Sequence, residues 1–183
     1  MRKVFLMLAA GLLLATSCNQ MIKVKGIQVI DSEGNPIDVA SATEPGETFV
    51  DIALPGPQGQ TVRVRDYVDQ NKLVLIDFWA SWCVPCLREM PNVVKAYELY
   101  HGKGLEIVGV SLDNDKSRWL AAIEQTGQKW PQMSDLKGWD CQGAQFYNIQ
   151  AIPANVLVNE HGIIIARDLR GEDLINTIAA QLQ

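Results

Sequence analysis

Leu73-Val74-Leu75-Ile76-Asp77-Phe78-Trp79-Ala80-Ser81-Trp82-Cys83-Val84-Pro85-Cys86-Leu87-Arg88-Glu89-Met90-Pro91 is the stretch whose reading decides the fold. Leu73 to Trp79 is apolar except at Asp77 and mixes β-branched with aromatic side chains, which reads as a buried strand. From Val84 the apolar residues recur at helical intervals (Val84, Leu87, Met90, Val94, Tyr97), with Pro91 as a kink. Cys83 and Cys86 stand where strand gives way to helix. A helix N-terminus carries partial positive charge and free N–H groups, and both favour a thiolate at the first cysteine. The second cysteine lies one turn on, close enough to close a small disulfide ring. Pro85 costs little there, because a first-turn N–H has no intrahelical partner to lose. Strand, cysteine pair and helix together predict a redox device.

Other uses of two cysteines fit less well. A zinc site needs two further ligands at matching spacing, but Cys141, His101 and His161 are scattered singly. A c-type haem attachment needs a histidine after the second cysteine, and that residue is Leu87. Cys83 is therefore expected to act as the nucleophile and Cys86 to resolve the mixed disulfide. Asp77 puts a carboxylate inside an apolar strand. Burial would raise its pKa and suit it to accept a proton from Cys86, whereas an exposed strand end would leave it without a role. Glu89, three residues after Cys86 on the same helix face, either tunes the pair or is a solvated helix charge. Of the two tryptophans, Trp82 is expected to be exposed beside the site and Trp79 to join the core. Cys141 is expected to be a buried free thiol.

These residues resemble the thioredoxin superfamily. Asp77-Phe78-Trp79-Ala80-Ser81-Trp82-Cys83 matches its signature at all but the serine, and Pro91 sits where thioredoxins kink the redox helix. Ile152-Pro153 before Val156-Leu157-Val158 resembles the cis-proline loop and the strand that follows. Within the superfamily, Trp-Ala-Ser-Trp-Cys-x-Pro-Cys-x-x-Glu-x-Pro and Ile107–Asp113 are most similar to the membrane-tethered TlpA/ResA branch. The resemblance implies an α/β thioredoxin-like fold over 45–183: a central mixed β-sheet flanked by helices, with an N-terminal extension. It also implies that Trp82, Pro85, Ile152 and Pro153 meet the substrate, Pro153 through a cis peptide bond. Ala154 departs from the family's usual threonine. Client proteins with disulfides or thiols are implied as partners, apocytochrome c being one candidate, together with a membrane-anchored electron donor. No cofactor or metal is implied. A related class, the thiol peroxidases, usually carries proline seven and threonine three residues before its reactive cysteine; here those positions hold Ile76 and Ala80. A disulfide oxidant or isomerase is a further alternative. Against it, Pro85 matches the dipeptide of reducing members, and the two carboxylates disfavour a thiolate.

Arg2-Lys3, an apolar run from Val4 to Ala15 and small residues before Cys18 read as an export leader over 1–17. The run, about 12 residues or roughly 18 Å of helix, is too short for a bilayer core of about 30 Å. Ala15-Thr16-Ser17-Cys18 resembles a lipobox, which would lipidate Cys18 and tie the chain to a membrane; plain cleavage after Ser17 is the alternative. Residues 18–44 read as a tether or a small hairpin. With 16 basic against 21 acidic residues and no basic stripe, the chain has no electrostatic basis for binding nucleic acid. Further on, the pattern predicts strands over Phe49–Leu54 and Thr61–Val64 and a helical turn at Asp66–Gln70. Leu105–Leu112 reads as a parallel strand, Lys116–Thr126 as a helix and Trp130–Ser134 as extended. Cys141–Tyr147 reads as a short helix, Ala154–Asn159 with Ile163–Asp168 as a hairpin, and Gly171–Leu182 as a closing amphipathic helix.

Overall fold

The computed structural model describes residues 43–183. The expectations for the leader, for Cys18 and for a tether or hairpin up to residue 42 lie outside the described residues. Five strands form the central sheet: β3 (Leu73–Trp79), β4 (Leu105–Ser111), β5 (Gln132–Met133), β6 (Ala154–Asn159) and β7 (Ile164–Arg167), in the order β5-β4-β3-β6-β7. β4 runs parallel to β3, and β5 to β4; β6 and β7 are antiparallel additions. The sheet is thus mixed, as expected. A separate hairpin joins β1 (Ala53–Pro55) and β2 (Thr61–Arg63), and α1 (Val64–Val68) follows it directly.

β3 is central and every residue of it is buried, which is why it reads as a continuous apolar run rather than an alternating one. α2 (Val84–Tyr100) connects β3 to β4 and α3 (Lys116–Thr126) connects β4 to β5. Right-handed crossovers in the same direction put both helices on one face of the sheet. α5 (Gly171–Gln181) packs against α2 on that face. α4 (Gln142–Phe146) covers the other face: the Tyr147 ring lies 5.5 Å from that of Phe78. A Cβ on Gly143 would come within 3.2 Å of Val110 and Ile52. Phe78 and Val110 are register partners that point to α4, so strand alternation sends Asp77 toward α2.

α2 buries Cys86, Met90, Val93 and Ala96, one helical face. α3 is capped by Asp115, whose carboxylate accepts from the N–H of Ser117 and Arg118, and it ends at Gly127 with φ 69°. Among the described residues no helix is long and apolar enough to cross a membrane.

Two boundaries differ from the sequence reading. The strand expected over Phe49–Leu54 is regular only from Ala53. Before that, the chain runs along the β6–β7 turn with a single bridge, Thr48 to Ile163, while Phe49 and Ile52 bury their side chains. The helical turn begins at Val64 rather than Asp66, because Asp51 reaches across to accept from the Arg65 N–H and the Arg63 guanidinium, ending β2 at Arg63.

Candidate functional site

The site sits where β3 ends. Cys83 and Cys86 form a disulfide, with Cα atoms 5.2 Å apart, and Cys83 is the N-cap of α2. Its Sγ accepts from the Cys86 N–H at 3.1 Å. That N–H is one of the helix's free donors, and it would meet a Cys83 thiolate in the same place once the pair is reduced. Pro85 lies exposed in the first turn, where it removes a donor the helix does not need.

The segment before the cysteines is held from the end of β4. Asp113 accepts from the Ser81 N–H at 3.0 Å and from its hydroxyl at 2.5 Å, and also from the Ser111 hydroxyl at 2.8 Å. Trp79 is fully buried and donates its indole N–H to Gln132 Oε1. Gly109 leaves the room for this: a Cβ there would collide with the Gln132 side chain. Trp82 is 46% exposed beside the disulfide. The division expected for the two tryptophans holds.

The loop before β6 faces the disulfide from the other side. Ile152–Pro153 is a cis peptide bond, and the Ile152 carbonyl oxygen lies 3.6 Å from Cys83 Sγ. Both residues are partly exposed, and Ala154 is buried as the register partner of Phe78.

Asp77 is only 3% exposed, which removes the reading of an open strand end. Its pKa is pushed up to about 7, first by desolvation; the Arg170 guanidinium pulls it down and the Glu89 carboxylate pushes it up. Glu89 is no freely solvated charge either. Its Oε1 accepts from the Gly171 N–H at 2.7 Å, capping the first turn of α5, and its Oε2 accepts from Asn92.

Three residues at this site went unassigned in the sequence reading. Asp113 ended a quoted motif but gave no sign of its hold on Ser81. Arg170, the residue before α5, donates to the Pro153 carbonyl and, at 2.7 Å, to that of Leu169. The third, Trp139, places its ring 6.2 Å from that of Trp82. Cys141, expected to be buried and free, is both, and burial pushes its thiol up to about 11. Among the described residues no group of acidic, cysteine or histidine side chains is placed to hold a metal ion.

A redoxin family model matches residues 44–182. A relative in Halalkalibacterium halodurans, the thiol-disulfide oxidoreductase ResA, is 32% identical over 125 residues, 68% of each chain. Among solved structures, the thioredoxin domain of a thiol-disulfide oxidoreductase from Bacteroides vulgatus superimposes with a TM-score of 0.70 at 33% identity, covering 76% of this chain and 99% of that one. A thiol-disulfide oxidoreductase from Bacteroides fragilis gives 0.68 at 30% identity, covering 73% and 98%. Likeness of this extent, around a disulfide so placed, shows the family: the chain belongs to the redoxins, in the ResA- and TlpA-like branch of the thioredoxin superfamily, and works by thiol–disulfide exchange.

Proposed function

We propose that the protein is an exported, lipid-anchored reductant of disulfides in client proteins. The observation that supports it best is the Cys83–Cys86 pair at a helix N-terminus, 3.6 Å from a cis-proline-loop carbonyl and with a buried acid on the same face of the sheet. In the reduced enzyme the Cys83 thiolate attacks one sulfur of the client disulfide, forming a mixed disulfide and releasing the other sulfur as a thiolate. The Cys86 thiol gives its proton to the Asp77 carboxylate and attacks Cys83 Sγ. This closes the Cys83–Cys86 bond and frees the second client thiolate, and the client thiolates take protons from water. Two electrons have then passed to the client. A membrane-anchored dithiol donor then supplies two further electrons, becoming a disulfide itself as the Cys83–Cys86 bond is reopened. Trp82, Pro85, Ile152 and Pro153 would border the client segment, whose backbone can lie along the Ile152 carbonyl edge. Apocytochrome c fits this client class.

The direction rests on charge. Asp77 is a buried carboxyl near the end of β3 and Glu89 a partly exposed one three residues after Cys86, and like charge disfavours a thiolate; a pair whose reduced form is less stabilised is a stronger reductant. The potential is expected nearer thioredoxin's, about −270 mV, than the roughly −120 mV of a strong oxidant. Equilibration with glutathione and thioredoxin couples measures it, and a value above roughly −180 mV overturns the reductant reading while leaving exchange in place. For the anchor, the mature protein is expected to begin at a lipidated Cys18 and to fractionate with membranes. Intact mass with an unmodified N-terminus would end that part of the proposal.

A further inference from the structure

Six large apolar side chains are exposed among the described residues: Trp82, Val84, Leu87, Leu99, Leu120 and Trp139. Trp82, Val84 and Leu87 come with the redox motif. Trp139 does not. It comes from the turn Gly138–Asp140 between β5 and α4, yet its ring centroid lies 6.2 Å from that of Trp82, with the planes tilted by 55°. Both residues are exposed, Trp82 at 46% and Trp139 at 49%.

The turn that presents Trp139 is held at both ends. Ser134 donates its hydroxyl to the Ser111 carbonyl and accepts from the Leu136 N–H. Asp135 accepts from the N–H of Lys137 through one oxygen and from the N–H of Gln142 through the other. Leu136 has φ 57° and Gly138 φ 59°, and a side chain is strained in that region. Buried Cys141 anchors the far end. Within this braced turn the Trp139 ring itself stays out of the core, and it meets the ring of Trp82, the residue before the reactive sulfur.

We propose that Trp139 and Trp82 form a subsite for an apolar side chain flanking the client cysteine, and that Trp139 thereby sets preference among client disulfides. This rests on the reading of the protein as a reductant of client polypeptides. The occupant follows from continuity with the exchange site. The Ile152 carbonyl lies 3.6 Å from Cys83 Sγ and Trp82 is the residue before Cys83, so the residues flanking a client sulfur bound there are within reach of the ring pair. Trp82, Val84, Leu87 and Trp139 carry no charge, and two tilted indoles take an apolar or aromatic side chain through desolvation and ring contact. Trp139 is then a specificity residue with no part in the chemistry.

The test uses the full mature protein, reduced, and two disulfide peptides that differ only in whether phenylalanine or serine flanks the cysteine. Single-turnover rates are followed by chromatography of the quenched peptides. The wild type is expected to reduce the phenylalanine peptide about tenfold faster, within the range hydrophobic contacts give. In Trp139→Ala the ratio falls toward one, and in Trp139→Phe most of it returns. A wild-type ratio near one, or a ratio that Trp139→Ala leaves unaltered, overturns the subsite even though both peptides are reduced. A Trp139→Ala protein that sediments as a monomer where the wild type is a dimer, with the peptide ratio unmoved, assigns the rings to a second copy and also overturns it. Failure of the wild type to reduce either peptide while it reduces glutathione disulfide overturns the client reading itself. Should Trp139→Ala fail to fold, Trp139→Gln carries the same comparison.

Discussion

A Cys86→Ser variant is expected to accumulate mixed disulfides with client proteins and to lose steady-state turnover by roughly a thousandfold or more. Cys83 keeps its place at the N-terminus of α2, so it still attacks; nothing remains to displace the client from its sulfur. Cys83→Ser is expected to lose both the turnover and the adducts. Cys141 offers no bypass, because it is fully buried and its thiol sits up at about 11, far from a thiolate at neutral pH. Non-reducing gels followed by mass spectrometry of the adducts check both expectations. Adducts that persist in Cys83→Ser and vanish only when Cys141 is also replaced would reverse the assignment.

Asp77→Asn is expected to raise stability and slow resolution together. The Asp77 carboxyl has an ordinary pKa of 3.8 and is pushed up to about 7 in the fold. Between those values the native state holds a proton that the unfolded chain has released, so stability falls as pH rises through the window. Above pH 7 the charged buried carboxylate imposes its full cost. The gap sets a ceiling of about 4 kcal/mol on what removing it returns. Denaturant unfolding should find the variant more stable at pH 8, with the advantage shrinking as pH falls and gone below the unfolded carboxyl's pKa. An advantage of equal size at pH 8 and pH 3.5 would show that packing, and not charge, was responsible. Release of trapped client by Cys86 should slow in the same variant, since its proton acceptor is missing.

The parts of the fold that were readable are those whose signal is local. β3 and α2 could be read because a buried strand, two cysteines and a helical period adjoin within one stretch, and Asp77 stood out as a charge where only apolar side chains belong. The cis proline was legible only through family likeness, since nothing in Ile152-Pro153 itself distinguishes the isomer. Long-range partners were not readable. Glu89 was weighed as a tuning charge or a solvated one, whereas its hydrogen bond goes to a backbone N–H 82 positions away. Nothing in the residues around Arg170 marks its bond to the Pro153 carbonyl, 17 positions back in the chain. Strand limits in Phe49–Leu54 failed for a related reason: apolar alternation tells which side chains turn inward, but an edge segment becomes a strand only where a neighbour offers a ladder.

The bond from Glu89 to Gly171 has a mechanical consequence. It ties the first turns of the redox helix to the start of the last helix, which restrains α2 from swinging outward to meet a recessed sulfur. Compliance must then come from the other molecule. A disulfide in a slack loop or an unfinished chain can bend into line with Cys83, whereas one locked inside a finished domain cannot. Under the proposed client reduction, such an enzyme is expected to favour clients that hold their own cross-links loosely over proteins that have already folded.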